Sequence, residues 1–195
     1  MRELTGLGLA VACLAPMSAI DLAFVPSIAW AQAAQTAQGH VDVNGSVATA
    51  CYGGTLTGGD TTFALGLLTD TSTGLLRKDL SAPDKVLTGA YCNLRSTLAI
   101  AATPMTAQNA TATPPSGFTR SVDYTATASG WTVTPASVNT ALAVNTGATQ
   151  TRDSAFAGTI TVSIGQFAAT GGNTQVLVSD TAYRGTVTLT LSAGV

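Results

Sequence analysis

Charge is what this chain has least of. Charged residues make up 9% of its 195 residues, where an ordinary globular domain carries about a quarter. Glutamate occurs once, at position 3, lysine at 78 and 85, and histidine once, at position 40. The formal net charge of -2 leaves no electrostatic footprint for nucleic acid or for an anionic membrane surface. Long apolar runs are missing as well. Beyond the N-terminal segment none approaches the roughly 20 residues that a membrane-spanning helix needs. Helix formers other than Ala and Leu are scarce, which argues against a helical domain.

The same shortages limit chemistry. His40 as a general base would need a nucleophile and an orienting partner. Ser46 is close in sequence but would share one strand face with it, and nothing marks an oxyanion hole. Asp60, Asp70, Asp79 and Asp84 stand in turn-like contexts, where Asp ordinarily bonds nearby backbone. No twelve-residue loop closes on a Glu, so no EF-hand calcium site is expected. Gly53-Gly54 and Gly171-Gly172 lack the following Lys-Ser/Thr of a phosphate cradle. Tyr124 and Trp131 could form an aromatic ligand platform, or they could be core residues. The expectation is a protein that is not an enzyme, with no catalytic residue, metal site or cofactor.

What the chain does have is a distinct start. Arg2 precedes an apolar stretch over positions 4–19, a second follows over 22–31, and Ala31-Gln32-Ala33 has the small-x-small form of a signal peptidase site. A cleaved signal peptide is expected over residues 1–33, with Cys13 discarded inside it. Cys51 and Cys92 then remain, and an even pair in an exported chain implies a disulfide. Closing a loop of about 40 residues is worth roughly 4 kcal/mol in the chain-entropy model. Two thiols without a neighbouring His or a second Cys pair do not make a zinc site.

Polarity comes from hydroxyls, and it alternates. Over residues 183–192, Tyr183, Val187, Leu189 and Leu191 hold odd positions while Thr186, Thr188, Thr190 and Ser192 hold even ones. Successive strand side chains point to opposite faces, so the segment reads as a strand with one dry face. Alternation recurs at Val41, Val43 and Val47, at Leu98 and Ile100, at Val122 and Tyr124, and through Phe156, Ile160, Val162 and Ile164. Glycine and proline clusters separate these runs. Many short strands at this spacing predict one all-β domain over residues 44–195, a sandwich or a barrel. The expected core is Phe63, Leu65, Leu68, Leu98, Ile100, Tyr124, Trp131, Val133, Phe156, Ile160, Val162, Ile164, Val187, Leu189 and Leu191. Residues 103–117 read as a long surface loop.

These landmarks, in this order, resemble the chaperone-usher pilins, in particular their secreted branch with the spore coat protein U-like domain. Val47-Ala48-Thr49-Ala50-Cys51 looks like the first strand running into its cysteine. Phe63-Ala64-Leu65-Gly66-Leu67-Leu68 stands where the family has an apolar strand with glycine, in place of the branch's Phe-Gly pair. Tyr91-Cys92 with positions 94–100 resembles the second cysteine and its strand, and residues 183–191 the closing strand. The resemblance implies an Ig-like (pilin-type) β-sandwich that lacks its final strand and is completed by strand donation. Val41 and Val43, in an N-terminal extension over residues 34–43, would be the donor side chains. Val187, Leu189 and Leu191 would edge the acceptor groove. It also implies a periplasmic chaperone, an outer-membrane usher and neighbouring copies of the subunit as partners. The protein would then be exported through the periplasm to a fimbrium at the bacterial cell surface, acting in adhesion or biofilm formation. Two alternatives stand beside it. Residues 39–47 could be this domain's own first strand, and the chain could be a self-complete secreted β-sandwich that binds a carbohydrate or a protein as a monomer.

Overall fold

The computed structural model of the chain describes residues 42–194. The chain divides into two units, Met1–Asn44 and Gly45–Val195. The expected signal peptide, His40 and the donor candidate Val41 lie outside the described residues. Every helix or strand element described is a strand, in keeping with the shortage of helix formers. In chain order they are β1 (Cys51–Tyr52), β2 (Thr55–Leu56), β3 (Lys85–Cys92), β4 (Ser96–Ala102), β5 (Met105–Ala107), β6 (Phe118–Thr119) and β7 (Ser121–Ser129). Then follow β8 (Ala136–Asn139), β9 (Thr149–Arg152), β10 (Phe156–Ala169), β11 (Val176–Leu177), β12 (Tyr183–Arg184) and β13 (Val187–Ala193).

Eight strands form one antiparallel sheet in the order β1-β3-β10-β7-β5-β12, with β2 also on β3 and β8 also on β7. A second antiparallel sheet runs β13-β4-β9, and β6 with β11 makes a short parallel pair. The pairing register of β10 breaks between Gly158 and Ile160 and again between Gly165 and Ala168. Such irregularities bend a strand and raise its twist. The large sheet accordingly curls, and residues of β4 and β13 join its inward residues in one core.

The largest fully buried side chain of that core is Trp131. Its indole Nε1 donates to Ser96 Oγ at 3.1 Å, and its ring meets Phe156 edge-on at 5.2 Å. The polar end of the indole therefore keeps a partner inside the protein, as burial demands. Arg152 closes this end, its guanidinium 3.6 Å from the Phe156 ring centroid while Nη1 donates to the Trp131 carbonyl. Four fully buried alanines, Ala90, Ala126, Ala128 and Ala136, belong to the same cluster. Small side chains opposite large ones let layers interdigitate without voids. Cys51 and Cys92 face each other in the β1–β3 ladder and form the expected disulfide.

Of the expected core, Leu98, Ile100, Tyr124, Trp131, Ile160 and Val162 are buried. Phe63, Leu65, Leu68, Phe156, Ile164, Val187, Leu189 and Leu191 are half-buried against them. Val133 corrects the list: it is fully exposed. The chain bends directly after Trp131, so the period of two does not continue through that turn. Asp123, between Val122 and Tyr124, is buried as they are, so the alternation read at that pair does not give it an exposed face. Its two oxygens accept hydroxyls from Thr140 at 2.9 Å and Thr170 at 2.6 Å, which satisfies the carboxylate locally.

Other expected elements also shift. Residues 103–117 are not all loop, because β5 carries buried Met105 and Ala107. Residues 47–50 are not strand. Their neighbour β3 ends at Cys92, and the Asn93 side chain takes over the bonding, accepting from Ala50 N–H at 2.8 Å and donating to the Ala48 carbonyl at 2.7 Å. Residues 63–68 take no regular secondary structure and pair with no strand among the described residues. Residues 183–192 are not one strand either. β12 pairs with β5 in the large sheet and β13 with β4 in the small one. The switch happens at Gly185, where an added Cβ would lie 2.7 Å from the Thr103 carbonyl oxygen. Thr103 and Thr186 lock this corner: Thr103 N–H donates to the Thr186 carbonyl at 2.9 Å, and Thr186 N–H to Thr103 Oγ1 at 3.0 Å.

Candidate functional site: an apolar groove beside the closing strand

The dry face of β13 is legible in its exposure. Val187, Leu189 and Leu191 are half-buried, while Thr188, Thr190 and Ser192 are exposed. One edge of β13 is fully paired with β4, Val187 opposite Ala102 through Ala193 opposite Ser96. Its other edge pairs with no strand among the described residues. An unpaired edge presents a row of main-chain donors and acceptors that another extended segment can take.

A groove of about 1380 Å³ begins where β13 begins. Met105, Tyr124, Ile164 and Leu177 line it from the core side. Residues 178–187, which run through β12 into β13, contribute to its lining as well. So does segment 61–71, of which residues 61–68 form a strap that brings Phe63, Leu65 and Leu68 against the core. From Thr61 to Leu67 the strap makes no backbone–backbone hydrogen bond among the described residues. It is held at its ends. Lys85 Nζ sits 2.8 Å from Asp60 Oδ2, and at the far end Arg77 N–H donates to the Leu68 carbonyl and Asp70 N–H to the Leu75 carbonyl, each at 2.9 Å.

Several polar groups of the groove are bonded within its own architecture. Tyr124 donates its hydroxyl to the Thr186 carbonyl at 3.1 Å, and burial pushes its phenol up to about 12. Tyr183 donates to the Val178 carbonyl at 2.7 Å, and burial followed by the nearby Asp180 charge raises it too. Both phenols are thus neutral donors at physiological pH. Asp180 accepts from Ala110 N–H, Ala182 N–H, Asn109 Nδ2 and Asn109 N–H, all within 2.9 Å. Those donors, Ala110 first, hold its carboxyl well below the ordinary range. Asp70 is lowered by the Ser72 hydroxyl and then by the Ser72 N–H. Among the described residues no three His, Cys, Asp or Glu side chains gather as metal ligands do.

Of the residues expected to act, Cys51 and Cys92 are joined. Val187 lines the groove, and Leu189 and Leu191 pack on the core from the same strand face. Val43 is exposed. Trp131 and Tyr124 do not form an exposed platform, since both are buried. Met105 and Leu177 escaped the reading, Met105 because Thr and Pro around it made its segment look like loop. The strap's lack of ladder bonds has no local sequence signal, because its apolar spacing is that of a strand. No family model, no curated protein and no solved structure matches the chain.

Proposed function

We propose that the chain is a structural subunit of an exported, pilus-like surface fibre, assembled by adding a neighbour's N-terminal strand to β13 and acting in adhesion or biofilm formation. In this reading the two sheets are an Ig-like, pilin-type sandwich. The free edge of β13, set beside an apolar groove, is the observation that carries it. β13 has seven residues, roughly 23 Å of edge. Residues 34–43 would extend over roughly 33 Å, long enough to cover it. The added strand gains main-chain bonds from the edge, while Val41 and Val43, on one face of that strand, fill apolar pockets. The contact is head-to-tail, so its repetition makes a fibre and not a closed pair. An open groove of this kind aggregates if left bare, which calls for a periplasmic chaperone and an outer-membrane usher as earlier partners.

The test uses the chain from residue 34 onward, with and without Val43→Asp. Size-exclusion chromatography and negative-stain electron microscopy follow assembly. The parent is expected to form linear polymers. The variant is expected to stay a folded monomer, because a charge in an apolar pocket opposes docking. A parent that remains monomeric at high concentration and ignores an added peptide spanning residues 34–47 would favour the self-complete secreted sandwich instead.

A further inference from the structure

Resting on the strand-addition reading, we infer that the strap, residues 61–68, is a placeholder built into the subunit. It covers the core with side chains until the N-terminal segment of a second copy displaces it. The observations are independent of the free edge itself. Phe63 and Leu65 are half-buried two positions apart, as on the inward face of a strand, and Leu68 packs on the same core. Yet residues 61–67 contribute no backbone–backbone hydrogen bond among the described residues, so side-chain contacts, with Lys85 Nζ over the Phe63 ring among them, and the end anchors hold the strap. The strap and Val187, the first residue of β13, line one groove, so a strand added along β13 and continued past its start meets the strap.

The exchange has a direction. The strap satisfies part of the core and none of the β13 edge. An incoming strand with alternating valines satisfies both. Each main-chain hydrogen bond adds a modest net gain, and roughly three or four are accessible along one edge of a seven-residue strand. Displacement of the strap exposes parts of Phe63 and Leu65 that are only half-buried to begin with. The anchors lie at the ends of the exchanged stretch or beyond them, at Asp60, at the Leu68–Arg77 backbone bond and at the Asp70–Leu75 backbone bond, so the strap can swing out between them without unravelling β3. The partner is therefore a second copy of this chain, and the regulated property is how readily its strand is taken up.

The experiment adds a synthetic peptide spanning residues 34–47 to the full mature chain and reads two regions at once. Hydrogen exchange reports β13, and brief chymotrypsin treatment reports cleavage after Phe63 and Leu65. The expected result is slower exchange over residues 187–193 together with faster cleavage in the strap. Phe63→Ser with Leu65→Ser should speed peptide uptake about tenfold by weakening the strap's side-chain hold. Asp60→Ala, which alters an exposed anchor and leaves the core intact, should speed it by a smaller factor of about three. Protection of β13 with strap cleavage unchanged or reduced, or uptake indifferent to both variants, overturns the placeholder and leaves strand addition standing. No protection of β13 in the parent or in either variant overturns both.

Discussion

Two segments of this molecule carry the same side-chain pattern and have different main-chain fates. The strap presents Phe63 and Leu65 at a spacing of two, and β13 presents Val187, Leu189 and Leu191 the same way. Both sets are half-buried against one core. β13 is laddered to β4 along its whole length, whereas the strap from Thr61 to Leu67 has no ladder among the described residues. Alternation therefore decides which side of an extended segment is dry. It does not decide whether the backbone finds a partner, and that second question separates a fixed element from a displaceable one.

The contrast should be largest in hydrogen exchange. Amides of residues 63–67 should exchange close to the unprotected rate, and those of β13 that face β4 at least roughly a thousandfold more slowly. Equal protection in the two segments would remove the comparison altogether. Next comes the disulfide. Replacing Cys51 and Cys92 together with Ala should lower unfolding free energy by about 4 kcal/mol in denaturant titration. Strap and anchors lie within the loop this bond closes, while β13 and β4 lie outside it. Exchange in the strap region should consequently rise more than exchange in β13.

Truncation at matched positions sharpens the point further. Leu189→Ala should cost about 2 kcal/mol and Leu65→Ala about 1 kcal/mol or less, both measured by chemical unfolding. The difference arises because β13 cannot shift without breaking its ladder, whereas the strap can settle into the space left. The smallest effect concerns acid. The carboxyl of Asp180 is depressed in the folded protein by the Ala110 and Ala182 N–H groups. A depressed carboxyl contributes stability that is complete above its unfolded value of about 3.9 and is lost as pH falls through its folded value. Asp180→Asn should therefore weaken the Asn109–Ala110 turn at neutral pH, seen as faster exchange of those amides, and the gap from the parent should close below pH 4. A gap that widens on acidification would contradict that assignment.

Much of the site was readable in advance, for local reasons. The Cys51–Cys92 pair, the dry face of β13 and the burial of Leu98, Ile100 and Trp131 follow from composition and period alone. Met105 and Asp123 were not readable. Met105 is buried because β12 and β7 flank its strand, and Asp123 because Thr140 and Thr170 reach it from distant positions. Neither fact has a trace in the neighbouring residues. The division of 183–192 into two strands likewise depends on Thr103 and Thr186 meeting across 83 positions. Gly185 is the one local sign of it, since an added Cβ would approach the Thr103 carbonyl.

By itself, then, the sequence determined that this is an all-β protein with hydroxyl-rich outer faces and one covalent staple. Those properties rest on side-chain period, β-branching and the cysteine count, each of which acts within a few residues or across a single bond. Only the tertiary structure decided that one edge of β13 and the main chain of the strap find no strand partner among the described residues, and that a groove opens where β13 starts. Main-chain pairing is a relation between segments far apart in the chain. The hydrogen-bonding groups are the same at almost every residue, so nothing in the side chains of residues 61–67 or 187–193 says which of them will find a partner.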